Sequence, residues 1–487
     1  MGGPELSRRR FLVLSGLGVA ATTSWAMDRG APARAADLAE PRVLSSRNGR
    51  LDVTLVAAPG VRLAGRDTRA LGYNGTSPGP TLRVRPGDEL AVRLTNRLSA
   101  PTNLHTHGLR VSPQGNADNP FVMVEPGGSF DYRIRIPKDH PVGTFWYHPH
   151  HHGTTADQLF GGLAGALIVA AGRDIEVARE RVLVVTDTTL TKDGHVAEVD
   201  GHGRMMGRRG DLVLVNGQDR PTLPATTGTV QRWRIVNATA SRTLRLHLTG
   251  PGLRQIALDG IYLRRPASAE RIELSPGNRT DVLVSPEAPG RFELRAEPRP
   301  PEEDNGSGPK DAPPPKPIHL ATLAVSGPRR TAADLPSRLP AAPAIAGPVQ
   351  ASRKITFEMT MGGPLDGLLP GGGMDSGDGG MSWTINGRSF DPKRDDQKVR
   401  AGDVEEWTIV NDSPMDHPFH LHVWGFQVVA DSRNNPVSGT AQDVVNVPAN
   451  GWVRVRVAFT GLTGRTLYHC HVADHSDAGM MATVNVS

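Results

Sequence analysis

Short runs of the chain place apolar residues at every second position, as in Leu82 and Val84 or Val453, Val455 and Val457. That is the period of strands with one face buried. The runs belong to a unit written three times. Its first copy reads Asn74-Gly75, then Pro86-Gly87-Asp88, then Arg93-Leu94-Thr95-Asn96. The second reads Asn216-Gly217, Gly228 and Arg234-Ile235-Val236-Asn237, and the third Asn386-Gly387, Ala401-Gly402-Asp403 and Thr408-Ile409-Val410-Asn411. From the Asn-Gly pair to the closing Asn is 22, 21 and 25 residues. A turn, a glycine-rich or charged corner and a strand ending in Asn predict three related antiparallel β-sandwiches in an all-β chain. Polar, proline-rich stretches punctuate them. Residues 296–317 are expected to form a long loop late in the second sandwich, and 326–350 the linker into the third. A Gly/Asp/Met-rich piece, 362–380, lies early in the third.

Composition agrees. At 487 residues the chain has room for about three domains. Gly 55 and Pro 41 make close to a fifth of it, which suits many short strands joined by turns. Apolar residues at 38% supply sizeable cores. The net charge of +5 is mild, the basic residues are dispersed and aromatics are only 5%, so no nucleic-acid groove is expected. A single cysteine, Cys470, excludes a disulfide framework within the chain.

The N-terminus reads as an address. Ser7-Arg8-Arg9-Arg10-Phe11-Leu12-Val13 opens a weakly apolar run, and Ala33-Arg34-Ala35 closes it with small residues. The Arg8-Arg9 pair before Phe11-Leu12 resembles a twin-arginine export signal. Residues 1–35 are therefore assigned to a leader recognised by the twin-arginine machinery. The sandwiches are assigned to 36–172, 173–335 and 336–487. The leader's apolar run is broken by Ser15, Thr22, Thr23 and Ser24, and no segment of the mature chain is expected to span a membrane.

Histidines gather in four windows: His105-Thr106-His107, His148-Pro149-His150-His151-His152, His417-Pro418-Phe419-His420-Leu421-His422, and His469-Cys470-His471 followed by His475. The repeat aligns them. Nine residues separate Asn96 from His105, and nine separate Asn411 from His420. Gly143 to His150 aligns with Gly464 to His471, so the first and third repeats carry two His-x-His pairs each. The middle repeat has Arg245-Leu246-His247 and Phe292-Glu293-Leu294 at those places. Residues two apart on a strand share a face. Four aligned pairs therefore imply one shared site between the first and third sandwiches. Eight imidazoles in one pocket need ligation, and their number suits a three-metal cluster. Cys470, between His469 and His471, must face the other way. With His417, His475 and Met480 it makes the two-imidazole, thiolate and thioether set of a blue copper site.

These motifs, in this order, resemble the three-domain multicopper oxidases of the bacterial laccase and copper-efflux type, over essentially all of the mature chain. The resemblance implies cupredoxin-like Greek-key sandwiches and four copper ions. A type 1 copper would take His417, Cys470 and His475, with Met480 axial. A type 2 copper would take His105 and His420. The type 3 pair would take His107, His148, His150, His422, His469 and His471, with His150 and His152 the alternative pairing in the second window. It implies one-electron oxidations coupled to reduction of O2 to two waters, with Asp118 delivering protons. Where relatives place a Glu after the last type 1 histidine this chain has Ser476, leaving Asp474 or Asp477 as substitutes.

The expected donors are phenols and aromatic amines, cuprous ion, or both, meeting the edge of His417 or His475. Met415 lies two residues before His417, and Met359, Met361, Met374 and Met381 flank or occupy the Gly/Asp-rich piece. Thioethers favour cuprous ion, so Met415, Met374 and Met381 are the candidate cuprous site. The competing readings are a copper nitrite reductase, which needs fewer His-x-His pairs, and a non-catalytic copper carrier, which needs only the Cys/His/His/Met set. One chain can form the interfacial cluster by itself, so a monomer is expected.

Overall fold

The Asn-Gly pair of every repeat makes the same turn. Asn74, Asn216 and Asn386 have φ of 55°, 52° and 53°, and the glycines after them 78°, 74° and 70°. Two successive left-handed residues are the hairpin conformation that Asn-Gly adopts most readily. Each Asn side chain then accepts an N–H from a long strand, from Val56, Val184 and Thr356 respectively. The closing Asn of each repeat is buried and clamps the loop that follows. Asn96 Nδ2 donates to the carbonyls of Ala100 and Val124, Asn237 to Arg242 and Leu274, and Asn411 to Met415 and Val447. In the first and third repeats the clamped loop leads into a histidine window.

The computed structural model of the protein describes residues 36–170, 172, 174–299, 316–331, 337–361, 381–435 and 439–487. The chain is all-β; the described residues form a pair of sheets in each repeat and three short helices, α1 (Thr155–Gly161), α2 (Gly201–Met206) and α3 (Ala473–Asp477). The pairs hold five and four, six and five, and six and five strands. Both sheets of a pair share one core. In the first, Leu82, Val84 and Leu167 of one sheet pack with Leu51, Leu90 and Leu94 of the other.

The sheets are mixed rather than purely antiparallel, which corrects the expectation from sequence. Arg50–Pro59 runs parallel to Glu89–Asn96, Arg179–Thr188 to Gln231–Asn237, and Ala351–Met361 to Val404–Asp412. Between the two strands of the first of these pairs the chain crosses to the other sheet as Thr81–Val84. A Greek-key path of that kind brings it back in the same direction. The expected loop 296–317 loses its first two residues to the strand Gly290–Glu297, and the strand Ile318–Ser326 begins directly after its expected end. After Ser326, which ends that strand, the described part of the linker has no strand, yet its Leu339 is buried with Val230, Ile256 and Leu283. The leader and the piece 362–380, with Met374, lie outside the described residues. Among the described residues no helix is long and apolar enough to cross a membrane.

One further core matters for the site. Trp146, Leu159 and Phe160 of the first repeat, Val182, Val236 and Ala240 of the second, and Ala473 of the third pack together. Helices α1 and α3 are thereby set against the middle repeat.

Candidate metal centre

The histidine windows lie on paired strands. His105 is opposite His148 in the first repeat, and His420 is opposite His469 in the third. The same pairing in the middle repeat brings Leu246 opposite Ala296. The second empty position is therefore Ala296 and not the Phe292–Leu294 stretch expected from sequence. The strand Gly290–Glu297 carries a register irregularity after Leu294 that a residue count does not see. All eight imidazoles are buried and meet in one pocket between the first and third repeats. His105 stacks on His422 with ring centroids 4.0 Å apart, and His107 on His420 at 3.9 Å.

Hydrogen-bond partners identify which ring nitrogens are bare. Nδ1 of His148 donates to the Pro149 carbonyl (2.8 Å), that of His420 to the Asp443 carbonyl (2.7 Å) and that of His469 to the Cys470 carbonyl (2.9 Å). Nδ1 of His105 donates to the Asp118 carboxylate at 3.0 Å. His107 is reversed, with Nε2 donating to Asp443 Oδ1 at 2.9 Å. The opposite nitrogen of each ring then carries a lone pair, and these lone pairs converge. His107 Nδ1 faces His148 Nε2 across 3.4 Å with no hydrogen available between them. His469 Nε2 lies 2.9 Å from His150 Nε2 and 3.2 Å from His422 Nε2. The bare Nε2 atoms of His105 and His420 have no partner, nor has either nitrogen of His471. Buried nitrogens in that state are costly unless a cation sits among them. Outer nitrogens tied to carbonyls and carboxylates are the usual support of metal-bound imidazoles. Burial and the neighbouring rings hold His107, His148, His150, His420, His422 and His471 well below the usual imidazole range, and burial holds His469 at about 4, so all stay neutral and able to ligate.

A second convergence lies on the other face of the strand Gly464–Cys470. His417 Nε2 donates to Ser413 Oγ (2.8 Å), whose own hydrogen goes to Asn411 Oδ1, and His475 Nε2 donates to the Met205 carbonyl (2.9 Å). Their bare Nδ1 atoms are 3.2 Å apart, and Cys470 Sγ lies 3.3 Å from the first and 3.8 Å from the second. Met480 is buried in the same core, and its N–H donates to the His475 carbonyl. Burial pushes the Cys470 thiol up, so binding a cation there would release a proton. The donor set, one sulfur and two imidazole nitrogens beside a thioether, suits copper. His469 and His471 flank Cys470 directly, which joins the two sites through one residue of backbone.

Other residues singled out in the sequence fall as follows. Asp118 is buried against His105 and also accepts the Thr106 N–H, so it belongs to the pocket. His152 is exposed and stands edge-on to Phe390. Asp474 is gripped by Arg208. Asp477 accepts the N–H groups of Gly153 and Ala156, and burial pushes it up to about 7. Met415 and Met359 are partly buried against the core that holds Cys470. The side chain of Met381 lies outside the described residues. His417 and His475 do not offer an exposed edge, contrary to expectation. Both are fully buried, capped by Ser413 and Met205, and Trp383 stacks on His475 at 4.1 Å.

Sequence reasoning missed Asp443, Arg279 and Met205. Asp443 touches His107 and takes both arms of the Arg279 guanidinium. Burial pushes its carboxyl up to about 6 against the pull of Arg279. Met205, on α2 of the middle repeat, packs on the same core as Met415. The sole sequence signal was the tandem Met205-Met206.

Three sequence families, each described as multicopper oxidase, match residues 56–174, 179–313 and 372–487. The Staphylococcus aureus protein Multicopper oxidase mco is 27% identical over 467 residues, covering 92% of either chain. The Edwardsiella tarda Cell division protein FtsP is 30% identical over 445 residues, covering 88% of this chain and 87% of its own. Among solved structures, a Campylobacter jejuni multicopper oxidase described as a metallo-oxidase superposes with a TM-score of 0.79. It is 30% identical and covers 93% of this chain and 95% of its own.

Proposed function

The chain belongs to the multicopper oxidase family, and on that premise we propose that it is an exported oxidase coupling one-electron oxidation of donors to reduction of O2 to water. The observation that carries this reading is the convergence of bare imidazole nitrogens in a buried pocket beside a thiolate site. Four copper ions would occupy it. His417, Cys470, His475 and Met480 would hold the type 1 ion, His105 and His420 the type 2 ion. His107, His148, His150, His422, His469 and His471 would hold the type 3 pair. Bound there, copper would collect electrons singly at the sulfur-ligated site and supply four together to O2 at the cluster. The residues do the rest. Asp118 fixes the His105 tautomer and passes protons into the pocket. Ser413 and the Met205 carbonyl orient the two type 1 imidazoles. The backbone from Cys470 into His469 and His471 carries the electrons.

The donors are phenols or aromatic amines, cuprous ion, or both. Met415 beside His417, with Met374 and Met381 near in sequence, favours cuprous ion as one of them. The leader 1–35 sends the folded chain through the twin-arginine machinery to the periplasm, envelope or medium, as three sandwiches at 36–172, 173–335 and 336–487. The name of the Edwardsiella relative points to a role in cell division as the competing reading. Such a role needs no pocket of bare imidazoles, and this chain has one. Oxygen uptake by the copper-loaded protein, with a phenolic donor and with cuprous ion, separates these readings. Uptake with either donor supports the oxidase, and loss of cuprous oxidation alone in Met415→Ala/Met374→Ala assigns the methionines to that substrate. No uptake from a fully loaded chain with either donor rejects the proposal.

A further inference from the structure

We propose that Arg279, from the middle repeat that carries no metal-ligand histidine, is a positioning residue of the metal centre: by gripping Asp443 it fixes the hydrogen of His107 on Nε2 and turns the bare Nδ1 into the imidazole pocket. The inference rests on the oxidase reading above.

His107 is the exception among the tied rings. His105, His148, His420 and His469 carry their hydrogen on Nδ1 and present Nε2, whereas His107 presents Nδ1. Which nitrogen of an imidazole is left bare is set by the hydrogen bond that the other one makes. For His107 that bond goes to Asp443 Oδ1, from a residue 336 positions away in the chain. Asp443 sits in the short connection between the strands Ala441–Gln442 and Val444–Val447, and its side chain is held from outside.

The holder is Arg279, at the start of the strand Arg279–Val284 and wholly buried. Its Nη1 donates to Asp443 Oδ1 at 2.6 Å and its Nη2 to Oδ2 at 2.7 Å. Nη1 also donates to the Gly277 carbonyl, and Nε to that of Thr144. Two parallel bonds to one planar fork fix the plane of the carboxylate, and with it the direction in which Oδ1 meets His107. Asp259 braces both partners, accepting the Arg279 N–H on one oxygen and the N–H groups of Asp443 and Val444 on the other. All three repeats thus meet around one carboxylate.

The turn before Arg279 brings the middle repeat up to the pocket itself. Gly277 has φ +89°, and a Cβ there would stand 2.9 Å from two ring atoms of His471 and 3.1 Å from His107 Cε1. Its backbone forms part of the pocket wall, and its carbonyl holds the guanidinium. A lysine at 279 would keep a charge near Asp443 and lose the fork. An asparagine at 443 would set its amide hydrogens against either the guanidinium or His107 Nε2, and the second choice strips the hydrogen from that nitrogen.

The test uses full-length, copper-loaded wild type, Arg279→Lys and Asp443→Asn. Asp281→Asn serves as a control. Asp281 is a buried acceptor for Arg232, Arg234 and Thr144 at the same junction and touches no histidine. The readouts are copper per chain, the near-ultraviolet band of a coupled copper pair, the blue band of the thiolate site and the thermal midpoint. The blue band reports folding of the third repeat. Expected is a fall of about tenfold or more in the near-ultraviolet to blue ratio for Arg279→Lys and Asp443→Asn, on the scale of lost outer support at metal sites. Asp281→Asn should lower the thermal midpoint and leave the ratio unchanged. An unchanged ratio in either folded variant overturns the inference. So does joint loss of both bands in step with the thermal midpoint, which marks Arg279 as merely structural. A wild type without the near-ultraviolet band rejects instead the oxidase reading on which the inference stands.

Discussion

Replacing Arg208 with Ala should open the thiolate site without touching any residue that would bind metal. Arg208 is buried, and its Nε and Nη2 donate to the Asp474 carboxylate, with Nη2 to Oδ1 at 2.7 Å. Its backbone N–H adds a bond to Asp474 Oδ2 at 3.0 Å. Asp474 sits in α3, beside His475. That helix has five residues and no side-chain N-cap, so tertiary contacts hold it rather than its own ladder. The third contact of Arg208, to the exposed Asp157, contributes little. Removing the arginine leaves a buried carboxylate uncompensated, which costs about 3–5 kcal/mol. At 1.4 kcal/mol per decade, local opening should rise roughly 100- to 3,000-fold.

The lone cysteine gives a clean assay, because a thiol reagent acting on the copper-free chain can label only Cys470, fully buried next to α3. Where opening and closing are fast, the labelling rate follows the opening equilibrium. The double variant Arg208→Ala/Asp474→Asn removes the stranded charge and should recover a decade or more of the protection. A labelling rate within threefold of wild type in Arg208→Ala refutes the assignment of α3's stability to this pair. Equal rates in the single and double variants refute the stranded charge as the cause.

Gly277→Ala should yield a folded protein with the blue band intact and the near-ultraviolet band much reduced, because the new methyl must displace His471 or His107. Absorption spectra at matched copper loading check it. Asp174 gives a pH signature. Against the upward push of burial, Arg232 and Arg234 hold its carboxyl down to about 2. A depressed carboxylate stabilises above its unfolded value near 4, and that stability is lost as pH falls through 2. Wild type should therefore exceed Asp174→Asn by on the order of 2 kcal/mol at pH 5–7, narrowing between pH 4 and pH 2. Urea midpoints over that range test the sign, and a gap that widens on acidification contradicts it.

What could be read from the sequence was what local chemistry encodes. Asn74-Gly75 and its two counterparts announce a turn wherever they occur, and Asn96, Asn237 and Asn411 recur because each clamps its own neighbouring loop. The His-x-His pairs were legible because the residue type is rare and the strand period is rigid, so His105 and His420, equally far from Asn96 and Asn411, take matching places opposite His148 and His469. Asp443 and Arg279 were not legible. Their value comes from a three-way junction between positions 164 and 336 residues apart, and neither carries a local pattern. The burial of His417 and His475 was missed for the same reason. The lid over His475 is the Met205 carbonyl, 270 residues away, and a backbone atom leaves no trace in residue identity.

The central claim, four electrons gathered through Cys470 and delivered to O2 at a histidine cluster, is tested most directly by titrating donor against dioxygen while counting copper, in wild type and Cys470→Ser. The account predicts four copper ions per wild-type chain, four donor electrons per O2 consumed and no peroxide. The variant should keep the near-ultraviolet band but lose the blue band and nearly all oxygen uptake. A fully loaded wild type that consumes no oxygen or releases peroxide stoichiometrically would contradict it, as would a Cys470→Ser chain that turns over at the wild-type rate.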